Sequence, residues 1–271
     1  MTHDTWLATH SYLQPLASLQ QQVNTAMSGI SATGPPIPRW DNYSDDFHTG
    51  VPLLQSSKAG IDLEPAEGMI TSLIEKLASS SLPGRLAEES KALDAELCYE
   101  KNALRQALAW LICDVAFPCS YPGLLRYLGW IALSQYLRPL VAAFGNWREE
   151  DRWLRGYCPT CGSLPAMAQL AGSDPARRRL LACGRCGTRW GYQRMDCPFC
   201  ETKNHHRLAV LAIEGEAGLR IDYCESCHGY LKTYAGEGNE SLLLADWTSI
   251  HLDLIAQDRG LNRLASSLYE L

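Results

Sequence analysis

Eight of the eleven cysteines form four Cys-x-x-Cys pairs within seventy residues: Cys158/Cys161, Cys183/Cys186, Cys197/Cys200 and Cys224/Cys227. One such pair is a weak signal, compatible with a redox couple or half a metal site. Four in series supply two complete sets of four thiolates. A four-thiolate site is a closed tetrahedron with no position left for water or substrate. Twenty-one residues separate Cys161 from Cys183, and twenty-three separate Cys200 from Cys224. Each interval accommodates a knuckle, two short strands and the return to a second knuckle. Sequential pairing is favoured because each set then closes a short loop at low entropic cost. It puts Cys158, Cys161, Cys183 and Cys186 in one site and Cys197, Cys200, Cys224 and Cys227 in the other. A cross-brace between alternate pairs is the competing arrangement.

Other uses of these thiols fit less well. Disulfides belong to oxidising compartments, and Met1–His10 has neither the basic start nor the apolar core of a signal peptide. The expectation is a reduced, cytoplasmic protein. A thioredoxin-like pair needs one motif beside a βαβ pattern, not four in tandem. The knuckles read CPTCG, CGRCG, CPFCE and CESCHG. Proline after the first cysteine sets the turn, and glycine after the second permits a left-handed backbone. Glu201 and His228 replace that glycine in two knuckles, which predicts turns of different detail there. Backbone N–H groups are expected to point at the sulfurs and offset their charge. Four thiolates suit zinc and mononuclear iron alike, so the cofactors expected are two metal ions, iron or zinc.

The remaining sequence reads as helix around this metal region. Composition is ordinarily globular, at 46% hydrophobic and 20% charged. Trp6, Leu13, Leu16 and Val23 recur at helical spacing. Gly34–Pro38 is loop, and Trp40–Gly60 reads as a polar connection. Ile70, Leu73, Ile74 and Leu77 mark a helix over Pro65–Ser79. Leu93, Leu97, Leu104, Leu108, Leu111 and Val115 predict one long helix over Ala87–Phe117. Another begins near Pro122, with Pro139 expected to kink or divide it. Its apolar run Leu124–Phe144 is interrupted by Arg126, Gln135 and Arg138, so it reads as buried helix rather than membrane span. Cys98, Cys113 and Cys119 read as small buried residues. Strands are predicted at Thr188–Met195, His206–Ile213, Leu219–Tyr223 and Tyr230–Tyr234, and a last helix at Leu243–Arg259. The fold class is α+β: a helical domain (1–150), two tandem rubredoxin-like or zinc-ribbon modules (151–192 and 193–236), and a C-terminal helix packing on the body (237–271).

Charge and motifs narrow the function. Residues 1–150 carry a net −6, residues 151–235 +4 and residues 236–271 −4. Two divalent ions, each in four thiolates, would bring the metal region to about zero. The run Arg177-Arg178-Arg179 reads as a solvated loop. An acidic chain without a basic stripe argues against nucleic-acid binding. The sequence contains no P-loop, His-Glu-x-x-His, Gly-x-Ser-x-Gly or dinucleotide fingerprint, so no catalytic residues are assigned and an enzyme is not expected. His205, His206 and His228 read as surface residues, since each site already has four sulfurs.

CPTCGSLPAMAQL (158–170), LLACGRCGTRWGYQRMDCPFCE (180–201) and DYCESCHGYLKTY (222–234) resemble the FdhE family of formate dehydrogenase accessory proteins. The tail ADWTSIHLDLIAQDRGLNR (245–263) resembles that family's closing helix, with Asp246, Ser249, Leu252 and Asp253 in matching places. The resemblance covers about 110 residues and implies a cytoplasmic maturation factor without dehydrogenase activity. Such a factor binds the catalytic subunit of formate dehydrogenase and is needed for its activity. It also implies rubredoxin-like sites able to hold iron. Tyr192, Phe199, His228 and Tyr230 are the expected exposed partner-binding residues. Two other classes fit the cysteines: an iron redox module and a zinc-ribbon nucleic-acid binder.

Overall fold

The computed structural model describes residues 1–31, 33–79, 85–99, 102–173, 175–216 and 218–270. Helices among them are α1 (His3–Thr9), α2 (Gln14–Ser28), α3 (Trp40–Thr49), α4 (Glu64–Ala78), α5 (Arg85–Tyr99), α6 (Ala103–Cys113), α7 (Pro122–Trp147), α8 (Glu240–Leu243) and α9 (Ile250–Asp258). Strands are β1 (Met167–Ala171), β2 (Arg178–Ala182), β3 (Arg189–Tyr192), β4 (Leu208–Ala212), β5 (Leu219–Cys224) and β6 (Tyr230–Ala235). The chain forms an α+β fold and divides into two compact units. One comprises His10–Tyr43, Leu54–Trp147 and Leu268–Leu271; the other comprises Met1–Thr9, Ser44–Leu53 and Arg148–Ser267.

In the helical unit, α4 packs on α2, α5, α6 and α7. Its apolar stripe explains that central role, since Ile70, Leu73 and Ile74 are fully buried. The expected helix over Ala87–Phe117 is instead two helices, α5 and α6. Residues 100 and 101 of that span lie outside the described residues. Asn102 has non-helical backbone angles, and α6 ends where Asp114 turns left-handed (φ 51°). Helix α7 continues through Pro139 rather than being divided there. Leu137 and Leu140 on either side are fully buried, so packing offsets the lost backbone bond. The loop at Gly34 lies against this turn, where a Cβ would sit 2.8 Å from the Pro139 ring. Among the described residues, no helix is long and apolar enough to cross a membrane. Cys98 and Cys113 are exposed and Cys119 half-buried, contrary to the expectation of burial. Cys98 lies in α5, Cys113 ends α6, and Cys119 lies in the connection between α6 and α7.

The other unit is built on one six-stranded sheet ordered β3-β2-β1-β6-β5-β4. Hairpin neighbours are antiparallel, but β1 and β6 pair in parallel, with Met167 opposite Lys232. This junction fuses the two cysteine modules into a continuous sheet. One face carries Met167, Lys232, Tyr230 and Ile221 by register, and α9 packs against β5. The expected helix over Leu243–Arg259 is broken into α8, a 3₁₀ turn (Asp246–Ser249) and α9. Lys232 Nζ donates to the Asp246 and Ser249 carbonyls at 3.2 and 3.3 Å, taking backbone acceptors from a regular helix. The connection expected over Trp40–Gly60 contains α3. Arg178 and Arg179 begin β2 rather than lying in a solvated loop, and Arg179 is buried.

Candidate metal centres

Each knuckle is closed by the same backbone bond. The N–H groups of Cys158, Cys183, Cys197 and Cys224 donate to the carbonyls of Ser163, Thr188, Thr202 and Gly229 at 2.8–3.0 Å. The residue after each second cysteine is left-handed: Gly162 (φ 80°), Gly187 (73°), Glu201 (56°) and His228 (56°). The turns at Glu201 and His228 therefore match the glycine knuckles instead of differing from them. The repeated hydrogen bond and the paired cysteines demand that conformation, so a non-glycine residue bears its steric cost.

The knuckles bring the cysteines together in sequential order. Cys158, Cys161, Cys183 and Cys186 form one cluster, and Cys197, Cys200, Cys224 and Cys227 form the other. Within each cluster all four Sγ atoms lie within 4.8 Å of one another. Cys158–Cys186 and Cys161–Cys183 are each 3.5 Å apart, and Cys197–Cys227 and Cys200–Cys224 each 3.8 Å. A tetrahedron with metal–sulfur bonds of about 2.3 Å has edges of about 3.8 Å, so both clusters fit one ion. These separations are far beyond a disulfide bond.

The first cluster is fully buried, and its knuckles are tied by a 2.7 Å hydrogen bond between the Thr160 and Thr188 hydroxyls. Ser163 Oγ and Thr188 Oγ1 lie 3.2 Å from the sulfurs of Cys161 and Cys186. The Arg185 backbone N–H reaches Cys183 Sγ at 3.4 Å. Burial pushes the Cys158 and Cys186 thiols up; at Cys161 the neighbouring thiols and Ser163 reverse that effect and pull it down. Arg148 is half-buried near the cluster. Its pKa is lowered by burial, against which Cys158, Glu150 and Cys186 act.

The second cluster is more open: Cys200 is exposed and Cys227 half-buried. Burial pushes Cys197 up despite the N–H groups of Cys200 and Phe199. At Cys224, burial is outweighed by the N–H groups of Cys227 and Ser226 and by nearby thiols, giving a pKa of about 7. Beside this cluster lies a cavity of about 190 Å³ lined by Arg179, Phe199, Val210, Arg220, Asp222 and Leu231, among others.

The expected partner-binding residues are not all exposed. His228 is exposed, Tyr192 and Phe199 are partly buried, and Tyr230 is only 4% exposed. Tyr230 faces α9 instead of solvent, its hydroxyl donating to Asp253 Oδ1 at 2.7 Å. It belongs to a buried charge network. Lys232 Nζ lies 2.7 Å from Asp246 and 2.8 Å from Asp253. Arg263 pairs with the same carboxylates at 2.7 and 2.6 Å, and Ser267 donates to Asp246 at 2.6 Å. Periodicity gives no sign of this network; the charges Lys232, Asp246 and Arg263 standing in otherwise apolar stretches were the available signal.

Fold and clusters define a class: a helical unit joined to a double four-cysteine ribbon unit with two sites suited to metal. No protein-family model matches the chain. It is 32% identical to the FdhE homolog of Aquifex aeolicus over 133 residues, 47% of each chain. It is 31% identical to the Stutzerimonas stutzeri homolog over 174 residues, 60% of this chain and 54% of the relative. Against the Rhizobium meliloti homolog, identity is 26% over 264 residues, covering 95% of this chain and 84% of the relative. The chain thus spans about half the length of the first two relatives and most of the third. The crystal structure of the FdhE protein from Pseudomonas aeruginosa shares the fold, with TM-score 0.62, 22% identity and coverage of 95% and 88% of the two chains. In sequence and in fold, the chain is thus similar to the FdhE proteins.

Proposed function

We propose that this protein is a cytoplasmic maturation factor that binds the catalytic subunit of formate dehydrogenase and is needed for its activity. It does not oxidise formate itself. The single observation supporting a binding role is the closure of both cysteine sites. Each offers four sulfurs at tetrahedral separations, leaving no open position for a substrate. The eight cysteines Cys158, Cys161, Cys183, Cys186, Cys197, Cys200, Cys224 and Cys227 are the proposed ligands of two ions, iron or zinc. A bound ion supplies cohesion between paired knuckles and neutralises part of the thiolate charge. The chain's own residues do the rest: the knuckle bonds orient the sulfurs, and Arg148 offsets charge at the first site. Tyr192, Phe199 and His228 are proposed as part of the client-binding surface. Tyr230 is left to the buried network.

The test is affinity capture of the tagged protein from its native host with metal analysis, together with complementation of a deletion strain. Capture of a formate dehydrogenase catalytic subunit and restored formate dehydrogenase activity are expected. Stably expressed Cys197→Ser/Cys200→Ser protein should restore less. Absence of any dehydrogenase subunit after cross-linking would refute the reading.

A further inference from the structure

We infer that the outer edge of β4 and the adjoining cavity bind an extended segment of a partner polypeptide, one that carries an acidic side chain among apolar ones. Strand β4 ends the sheet order, and among the described residues no strand pairs with its outer edge. Its sequence is Leu-Ala-Val-Leu-Ala, and Val210 is 53% exposed. Natural edge strands are normally blunted by charge, proline or a bulge, because free N–H and C=O groups template further pairing. This strand carries no charged residue and no proline.

The cavity gives the edge a chemical preference. Register places Val210 opposite Asp222 and Leu208 opposite Cys224, so these side chains share the sheet face that lines the cavity. Its volume is about 190 Å³, and an engineered cavity of about 150 Å³ already admits benzene. One side chain therefore fits. Three arginines, Arg179, Arg194 and Arg220, face two acids, Asp196 and Asp222. Asp222 pairs with Arg220 Nε at 2.8 Å and with Arg179 Nη2 at 3.8 Å, and it accepts from the Thr233 hydroxyl at 3.0 Å. The Arg179 side chain is 7% exposed, and its Nε has no hydrogen-bond acceptor among the described residues. A buried donor without an acceptor, in a cavity lined by three guanidinium groups, fits an incoming carboxylate. Apolar walls from Phe199, Val210 and Leu231 suit the stem of that side chain.

The cavity mouth and the unpaired edge run together through Leu208, Ala209 and Val210. A segment laid along β4 would gain main-chain bonds from the edge and selectivity from the cavity, the usual division in strand addition. A second copy of this chain fits less well, since β4 has no acidic side chain to offer. The inference does not depend on which protein is the client.

The experiment uses the full chain and a panel of capped nonapeptides, each with one central glutamate between branched or aromatic residues. Binding is measured by calorimetry, and its location by backbone amide exchange. Protection of residues 208–212 is expected, with affinity about tenfold lower for the matched glutamine peptide, the scale of one charge-assisted hydrogen bond. Arg194→Gln should weaken binding. Val210→Glu, an exposed position that puts like charge at the mouth, should weaken it further with metal content unchanged. Any of four results overturns the inference. These are no binding across the panel, equal affinity for glutamate and glutamine peptides, phenylacetate binding as tightly as the peptides, and self-association abolished by Val210→Glu.

Discussion

Gly156 lies against the backbone carbonyl of Pro198, so close that a Cβ on Gly156 would overlap that oxygen. The approach to the first knuckle thus rests on the turn of the second cluster. Gly156→Ala has backbone, not a flexible side chain, to displace. A loss of more than about 2 kcal/mol is expected, at the upper end for overpacking. Denaturant unfolding measures it, and metal analysis should show depletion at the second cluster. Unchanged stability would mean that the two segments separate freely.

Cluster independence follows from the sequential grouping of sulfurs. Cys158→Ser/Cys161→Ser should remove one of two ions and leave the other bound. Loss of both, with helicity intact, would contradict separate sites. In the intact protein a competing chelator should withdraw metal in two phases. The second cluster should empty first, because Cys200 is exposed whereas all four cysteines of the first are buried.

Left-handed Glu201 and His228 bear a cost that glycine would not. Glu201→Gly or His228→Gly should stabilise the protein by about 0.5–1 kcal/mol, the left-handed penalty less the added freedom of the unfolded chain. Thermal unfolding of metal-loaded protein is the measurement. A destabilised variant would reveal a side-chain contact that outweighs backbone relief.

Lys232 holds two buried carboxylates, Asp246 and Asp253. Lys232→Met would leave Arg263 as the network's remaining cation, and a loss of about 3–5 kcal/mol is expected for breaking a buried ion cluster. Equilibrium unfolding decides it. A neutral effect would show that Arg263 alone suffices.

The same network sets an acid limit. Burial alone would raise the pKa of Asp246, but Lys232 and Arg263 overcome it and hold the carboxyl well below the usual carboxylate range. A depressed folded pKa stabilises fully above the unfolded value of about 3.9, and that contribution is lost as pH falls from there toward the folded value. Stability should therefore decline as pH drops below about 4, and Asp246→Asn should flatten that decline. An identical acid limb in the variant would remove Asp246 as its cause.

Much of this architecture is legible in residue order, and the reason is locality. Each Cys-x-x-Cys pair closes its own turn, so sequential grouping of the eight cysteines follows from spacing and loop closure. The stripe Ile70, Leu73, Ile74 and Leu77 specifies α4 because a helix repeats over a few residues. What depended on contacts between distant segments was not readable. The parallel pairing of Met167 with Lys232, which fuses the two modules, joins residues 65 positions apart and has no local signature. The break between α8 and α9 arises because Lys232 takes carbonyls that an isolated helix would use. Tyr230 is buried because Asp253 comes to face it, although an aromatic residue beside a knuckle looks equally suited to the surface. Glu201 and His228 show the same division at the smallest scale. Their residue types disfavour the left-handed turn, and the closed knuckle imposes it.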